Sequence, residues 1–248
     1  MSRFDDKSQA FFLTAPQPCP YLANQFERKV FTTLTPSIGC RMNSAMSNFG
    51  FRRSQHILYR PLCERCHACI SVRVVVEQFS HSASFRRIDR KNCDLKVDVK
   101  SLKATEEQFT LFTQYQNIKH MGGGMSDMKF PNYQQMIEES CVETVLVEYR
   151  TAANSDFHKK GSLYAVALTD ILDDGLSMVY TFYNVTVPHR SLGTYVILDH
   201  IKRAKAMDLP YLYLGYWVRG SKKMDYKKKF QPLEYLIRDC WQGLTLSE

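Results

Sequence analysis

Cys63, Cys66 and Cys69 are evenly spaced and form two overlapping C-x-x-C pairs. Thiolates at this spacing can converge on one zinc ion or an iron–sulfur cluster, and a closed tetrahedral site needs a fourth donor. Cys19, His67 and Cys93 are the candidates for that position, and the spacing does not choose the element. The alternative is a set of reduced thiols packed as small hydrophobes, which is also how the isolated Cys40, Cys141 and Cys240 read.

A second cluster, Arg52, Arg53, His56 and Arg60, follows a Gly50-Phe51 turn. The guanidinium fork matches carboxylate or phosphate with paired donors; without a ligand the same residues make a solvated loop face. A third, Pro188-His189-Arg190-Ser191-Leu192-Gly193, leads into a predicted helix. Backbone N–H groups at a helix start hold phosphates, so Arg190, Ser191 and Gly193 could dock a phosphate or the ribose beside it. With a single glycine, the G-x-G/A pyrophosphate pattern of a coenzyme A loop is degenerate, and an ordinary helix start capped by Ser191 is the plainer reading. The fourth is a lysine run, Lys222, Lys223, Lys227, Lys228 and Lys229, read as phosphate contacts against the alternative of a solvated basic face.

Charge supports a polyanionic partner. The chain of 248 residues carries a formal charge of +8, with nine Lys or Arg against three acidic residues from Gly50 to Lys91 and six against one from Arg219 to Lys229. Aromatic side chains interleave with both runs, among them Tyr59, Phe85, Trp217 and Tyr226, and these can stack on bases while cations track phosphates. Hydrophobic residues at 44% and charged residues at 23% describe a globular chain rather than a disordered one. No apolar run approaches the length needed to cross a bilayer, and the opening MSRFDDKSQAFFLTAPQPCP does not resemble a signal peptide. A cytoplasmic protein is therefore expected, in which eight cysteines do not imply a disulfide framework.

These residues need elements to hold them. Residues 15–43, broken by four prolines, read as irregular, whereas Ile70 to Val76 reads as a β-branched strand after the cysteine turn. Thr105-Glu106-Glu107-Gln108 is a capping box opening a helix with Phe109, Phe112, Tyr115 and Ile118 on its apolar stripe. That helix stops at Gly122-Gly123-Gly124, a hinge or a loop near a ligand, with His120 beside it. Strands are predicted at 142–149, 163–168, 177–183 and 211–217. A polar loop separates the first two, and a helix from about Thr194 to Met207 precedes the last, with Ile197, Ile201 and Ala204 on one face. The order implies an α+β fold with an N-acetyltransferase-like core (residues 101–248) behind a smaller Cys-rich N-terminal domain (residues 1–100).

Three blocks together resemble the aminoacyl-tRNA–protein transferase family. They are Pro18-Cys19-Pro20-Tyr21-Leu22; then Gly50-Phe51-Arg52-Arg53-Ser54 with Tyr59-Arg60-Pro61, the cysteine triplet, Arg86-Arg87 and Asn92; and finally Ser191-Leu192-Gly193 to Tyr213-Leu214-Gly215-Tyr216-Trp217 with Lys223-Met224, Tyr226-Lys227, Phe230 and Pro232. The length and the evenly spaced cysteines look closer to the short bacterial leucyltransferases than to the longer arginyltransferases. The resemblance implies transfer of leucine from leucyl-tRNA to an N-terminal Asp or Glu, marking that protein for degradation. It also implies that one of Arg52, Arg53, His56 or Arg60 reads the acidic acceptor, and it favours Cys19 as the fourth member of a metal or cluster site. No cofactor is implied for the transfer itself. Tyr180 and Tyr216 are candidate partners of the oxyanion or the 3′-hydroxyl, and Asp199, His189 or Asp225 a candidate base. Arginyl transfer, a coenzyme A-dependent N-acetyltransferase and a non-catalytic RNA-binding or metal-sensing protein are the alternatives.

Overall fold

The computed structural model describes residues 9–154 and 159–243; part of the predicted polar loop, residues 155–158, lies outside them. Short strands β1 (Phe12–Leu13), β2 (Gln17–Pro18) and β3 (Phe26–Glu27) precede β4 (Lys29–Thr33), helix α1 (Gly39–Asn48) and the hairpin β5 (Arg52–Ser54) and β6 (Ile57–Pro61). Next come β7 (Cys69–Val75), α2 (Ala83–Lys91), β8 (Leu95–Lys100), α3 (Glu106–Lys119) and α4 (Phe130–Glu138). The chain continues through β9 (Thr144–Thr151), β10 (Leu163–Leu172), β11 (Gly175–Tyr183), α5 (Leu192–Ala206) and β12 (Tyr211–Val218). A 3-10 helix, Lys222–Lys229, then leads to β13 (Leu233–Ile237) and β14 (Cys240–Gly243).

Eight strands form one sheet in the order β14-β13-β7-β12-β11-β10-β9-β8. Every neighbouring pair in it is antiparallel except β11 and β12, which run parallel because α5 carries the chain back across the sheet. The sheet takes β7 and β8 from before residue 100, the expected boundary, and strands β9 to β14 from after it. Alternation along β10 sets the two faces. Ala165 and Ala167 pack toward Val196 of α5, while Val166 and Leu168 pack toward Phe112 and Tyr133 of α3 and α4. The stripe expected on α5 is in place, with Ile197, Ile201 and Ala204 against Val72, Val74 and Leu212. The capping box of α3 also forms, Thr105 accepting from the Gln108 backbone and Gln108 reaching back. Ile118 is a correction: it is 61% exposed, because the stripe turns away from the sheet in the last turn of α3.

Residues read as irregular instead contain β4 and the start of α1. With β1, β5 and β6, β4 makes a second sheet in the order β1-β4-β6-β5. Its core is small, Leu34, Phe51, Leu58 and Val142, so burial alone holds it weakly. Charge does the joining. Arg53 donates from Nε and Nη2 to the two oxygens of Asp170 in β10, both at 2.6 Å, with both side chains buried. Asn43 of α1 and Thr144 of β9 donate to the same carboxylate at 3.1 and 2.8 Å.

Removing one partner of such a pair leaves a buried charge uncompensated, costing about 3–5 kcal/mol, whereas replacing both with apolar residues costs far less. Urea unfolding should therefore show Arg53→Met and Asp170→Leu each strongly destabilised and the double variant less destabilised than the sum. Additive losses would mean that the pair is not the joint.

Candidate functional site

The structure gathers the chemistry at two places. The first is the seam between β11 and β12. These strands pair only at Gly175–Tyr211, Leu176–Leu212 and Ser177–Tyr213 and then part. Side chains of β11 change from buried at 175–177 to half-exposed at 178–181, as expected for an inner strand that loses its neighbour. β12 departs at a bulge at Gly215, whose φ of +77° suits glycine; a Cβ there would stand 3.3 Å from Arg52 Nε.

Parting two strands leaves carbonyls without ladder partners, and two cations cap them. Arg52 donates to Met178 O of β11 and, at 3.1 Å, to Ser177 Oγ. Lys227, buried in the 3-10 helix, donates from Nζ to Tyr216 O of β12 at 2.6 Å. Burial, and secondarily the Arg52 charge, push the Lys227 amine down to about 7.

Beside Lys227, whose Nζ lies 5.9 Å from the centroid of the Tyr226 ring, the seam has an aromatic rim. Tyr115 of α3 stacks edge-on against Tyr183 of β11 with centroids 5.0 Å apart, and Gly193 at the start of α5 touches the same ring, where a Cβ would meet it at 3.0 Å. Tyr180 accepts from Gln116 Nε2 at 2.6 Å, which leaves its own O–H without an acceptor among the described residues. Burial raises the Tyr180 phenol to about 12, so it remains a donor at neutral pH. Tyr226 and the exposed Lys222 and Lys223 lie on the 3-10 helix beside it.

The second place is a cavity of about 710 Å³ lined by Cys19, Cys63, Cys66 and Cys69, together with His67 and Arg60. Cys63 and Cys66 face each other across a β-bridge, and the β2–β3 hairpin holds Cys19, whose N–H donates to Gln25 O at 2.8 Å. Burial, and then the neighbouring Cys19, Cys63 and Cys66, push the Cys69 thiol up to about 12. The soft donor set fits zinc or an iron–sulfur cluster, although no group of three potential ligands among the described residues is drawn into metal-binding geometry. Cys93 is exposed and lies outside this cavity.

Several sequence readings change. Arg52 and Arg53 are not on a loop face; they are buried in β5, and Arg53 spends its guanidinium on Asp170, Gln55 O at 2.7 Å and Thr144 at 3.3 Å, with no fork left for an acceptor. Arg60 is half-buried, bonded to Phe49 O and Asp239, and His56 is exposed. The Tyr216 hydroxyl lies within hydrogen-bonding reach of Gly50 O and Tyr59 O, at 2.8 and 3.1 Å, so its single proton is taken and it cannot serve an oxyanion. Lys227 is not a surface phosphate contact. Lys222, Lys223 and Lys229 are exposed, and Lys228 pairs with Asp225 at 3.3 Å. Arg190 is held by both oxygens of Asp94 at 2.7 and 2.8 Å, and Ser191 takes a left-handed φ of 53° without capping α5 through its side chain. Asp199 is bound by Tyr149 and Arg203, and Asp225 accepts from Trp217 as well as Lys228, while His189 is exposed. Of the rim, the sequence singles out Tyr226, Tyr180 and Gly193, whereas Tyr115 reads only as part of a helix stripe and Tyr183 only as the end of a strand; Gly215, a glycine inside a strand pattern, is the local signal of the special position.

The profile "Arginine-tRNA-protein transferase, N terminus" matches residues 17–87 and its "C terminus" counterpart residues 107–237. The chain belongs to this family. Among its relatives, an aspartate/glutamate leucyltransferase of Parvibaculum lavamentivorans is 51% identical over 233 residues, 94% of each chain. Another so named, of Methylobacterium nodulans, is 53% identical over 236 residues, covering 93% of this chain and 94% of its own. A crystal structure of FemX resembles the fold with a TM-score of 0.50, covering 84% of this chain and 69% of that one at 9% identity.

Gly215→Ala should strain a left-handed residue by about 1–2 kcal/mol and crowd Arg52. Urea unfolding should show that loss together with a drop in transfer activity larger than the loss of folded protein. Unchanged activity would separate the bulge from the site.

Proposed function

We propose that this chain transfers leucine from leucyl-tRNA to the N-terminal Asp or Glu of proteins, marking them for degradation through the N-degron pathway in the cytoplasm. The observation that carries this reading is the near-full-length identity, about half of all positions, to relatives named aspartate/glutamate leucyltransferase. No helix among the described residues is long and apolar enough to cross a membrane.

The reaction is aminolysis of an activated ester. The acceptor's unprotonated α-amine attacks the aminoacyl carbonyl, a tetrahedral oxyanion forms, and the C–O bond to the tRNA 3′-oxygen breaks as the amide forms. The leaving oxygen takes up the proton that the amine gives up. No covalent enzyme intermediate is needed, and positioning alone can lower the barrier by ~7–11 kcal/mol. The seam is the natural place for it: the parallel β11–α5–β12 unit that opens beyond Ser177 supports an N-acetyltransferase-like core, with the first sheet and the cysteine cavity as its N-terminal partner. Among the described residues the Tyr180 O–H has no acceptor, which leaves it to serve the oxyanion or the ribose. Exposed Lys222, Lys223 and Lys229 are suited to tRNA phosphates, and Gly193 opens α5 where a terminal phosphate or ribose could approach backbone N–H groups.

The cysteine cavity is proposed to hold zinc or an iron–sulfur cluster through Cys19, Cys63, Cys66 and Cys69. The bound group would supply structural closure of the β2–β3 hairpin on the cysteine turn. Anaerobic purification followed by metal analysis should find zinc, or iron with sulfide, lost on Cys66→Ser. Metal-free active protein would remove the group from the account.

Incubation with a panel of charged tRNAs and peptides beginning Asp, Glu, Lys or Ala tests the reaction by mass. Leucine on the Asp and Glu peptides is expected. Arginine transfer with leucine inert would correct the donor, and acetylation from acetyl-coenzyme A would reject the reading. In the same system Lys222→Gln with Lys223→Gln should weaken tRNA binding and flatten the slope of log K against log salt by roughly 0.7–0.9 for each phosphate no longer neutralised. An unchanged slope would place the tRNA elsewhere.

A further inference from the structure

Arg52 and Lys227 are two buried cations that meet β12 at adjacent residues, Arg52 against Gly215 and Lys227 on Tyr216 O, and among the described residues no carboxylate pairs with either. Every other buried arginine has an acid: Arg53 has Asp170, and Arg73 has Glu234 and Asp174. Isolated buried charge is costly, and a like pair more so. Capping the orphan carbonyls of Met178 and Tyr216 does not account for it, since neutral amide or hydroxyl donors would cap them without that cost. Donors also remain unspent. Lys227 uses one of three N–H groups on Tyr216 O, and Arg52 Nε has no partner among the described residues. The pair sits where β11 turns half-exposed, with Lys227 Nζ 5.9 Å from the centroid of the Tyr226 ring.

We infer that Arg52 and Lys227 together form the receptor for the carboxylate side chain of the acceptor's first residue, and so determine its specificity for Asp and Glu. This rests on the function proposed above and names the part of the site that reads the acceptor. The acceptor's carboxylate lies only a few bonds from its α-amine, so a receptor for it must adjoin the point where that amine meets the ester. The floor of the seam meets that requirement. Two cations match the two oxygens of a carboxylate, and their mutual repulsion disfavours the empty site and is relieved when the anion enters. A neutral first residue would leave both cations unpaired, which makes the discrimination steep. Arg60 at the cysteine cavity and Arg53 on Asp170 are left out of this role by their positions.

The test is the ratio of kcat/KM for an Asp-initiated peptide to that for its Asn-initiated isostere, measured with leucyl-tRNA. The ratio is insensitive to the fraction of protein folded. Lys227→Gln and Arg52→Gln should each lower it roughly ten- to a hundredfold, the range set by removing one charge-assisted hydrogen bond, and Lys227→Arg should restore much of it. Equal loss toward both peptides, with the ratio kept, would mean that the cations act on something common to all acceptors, such as the developing oxyanion or a tRNA phosphate, and would overturn the proposal. Should the variants fail to fold, the wild-type protein still decides. A succinyl-capped peptide, which keeps the side-chain carboxylate but lacks the amine, should compete with the Asp acceptor at least tenfold better than its succinamoyl counterpart; equal competition would refute a carboxylate receptor. Wild-type protein inert toward all charged tRNAs is a different result and would reject the function rather than the receptor.

Discussion

One buried contact, the bidentate pair of Arg53 with Asp170, fixes the relation between the small first sheet and the large one. Asn43 and Thr144 complete the carboxylate's hydrogen bonds, so α1, β5, β9 and β10 meet at a single side chain. The apolar core of the first sheet is too slight to set this docking by itself. Directional bonds set it instead, and they do so next to a residue with a different task. Arg52 precedes Arg53 on β5 and so projects differently, into the seam rather than onto β10. Neighbouring arginines on one strand thus divide the work, one anchoring the sheet and the other reaching the place where the large sheet opens.

The opening follows from topology. Only β11 and β12 are parallel, and they part after three paired residues, with the bulge at Gly215 turning β12 away. Elsewhere the buried arginines are paired with acids, Arg53 with Asp170 and Arg73 with Glu234 and Asp174. The seam is therefore where polar backbone, a tyrosine hydroxyl and cations coexist near the middle of the protein, and each is there because a neighbour has been withdrawn. Second to this is the cysteine cavity on the far side of Tyr216, whose hydroxyl is spent on Gly50 and Tyr59 and whose carbonyl binds Lys227. One residue of β12 therefore contacts both sites.

Much of the large sheet was legible because its signals are local. β7 reads from a run of valines, α3 from its capping box, and α5 from a stripe spaced by helical turns. The first sheet was not, because β4, β5 and β6 are short, lie among prolines and polar residues, and are specified by partners distant in sequence, such as Phe31 opposite Tyr59. Ile118 shows the limit of periodicity from the other side: its spacing fits the stripe, but the sheet ends before it. The cysteines could be grouped from spacing, whereas Cys19 joins them only through the β2–β3 hairpin, for which composition gives no sign.

The lysines show most clearly what a linear reading misses. In Lys222 to Lys229 every cation looks alike, and charge density argues for a surface. A 3-10 helix brings every third residue to one side, so a run of basic residues must turn some of them inward whenever the segment packs. Here Met224 packs against the core and Lys227, three positions on, follows it in. A lysine so placed has exchanged water for one carbonyl, and its amine is weakened accordingly. Folding tolerates that only because the residue is bound to an orphan group of a strand that has lost its neighbour. The departure of β12 from β11 leaves the Tyr216 carbonyl for Lys227 to bind, so the burial of that amine and the opening of the seam have a common origin.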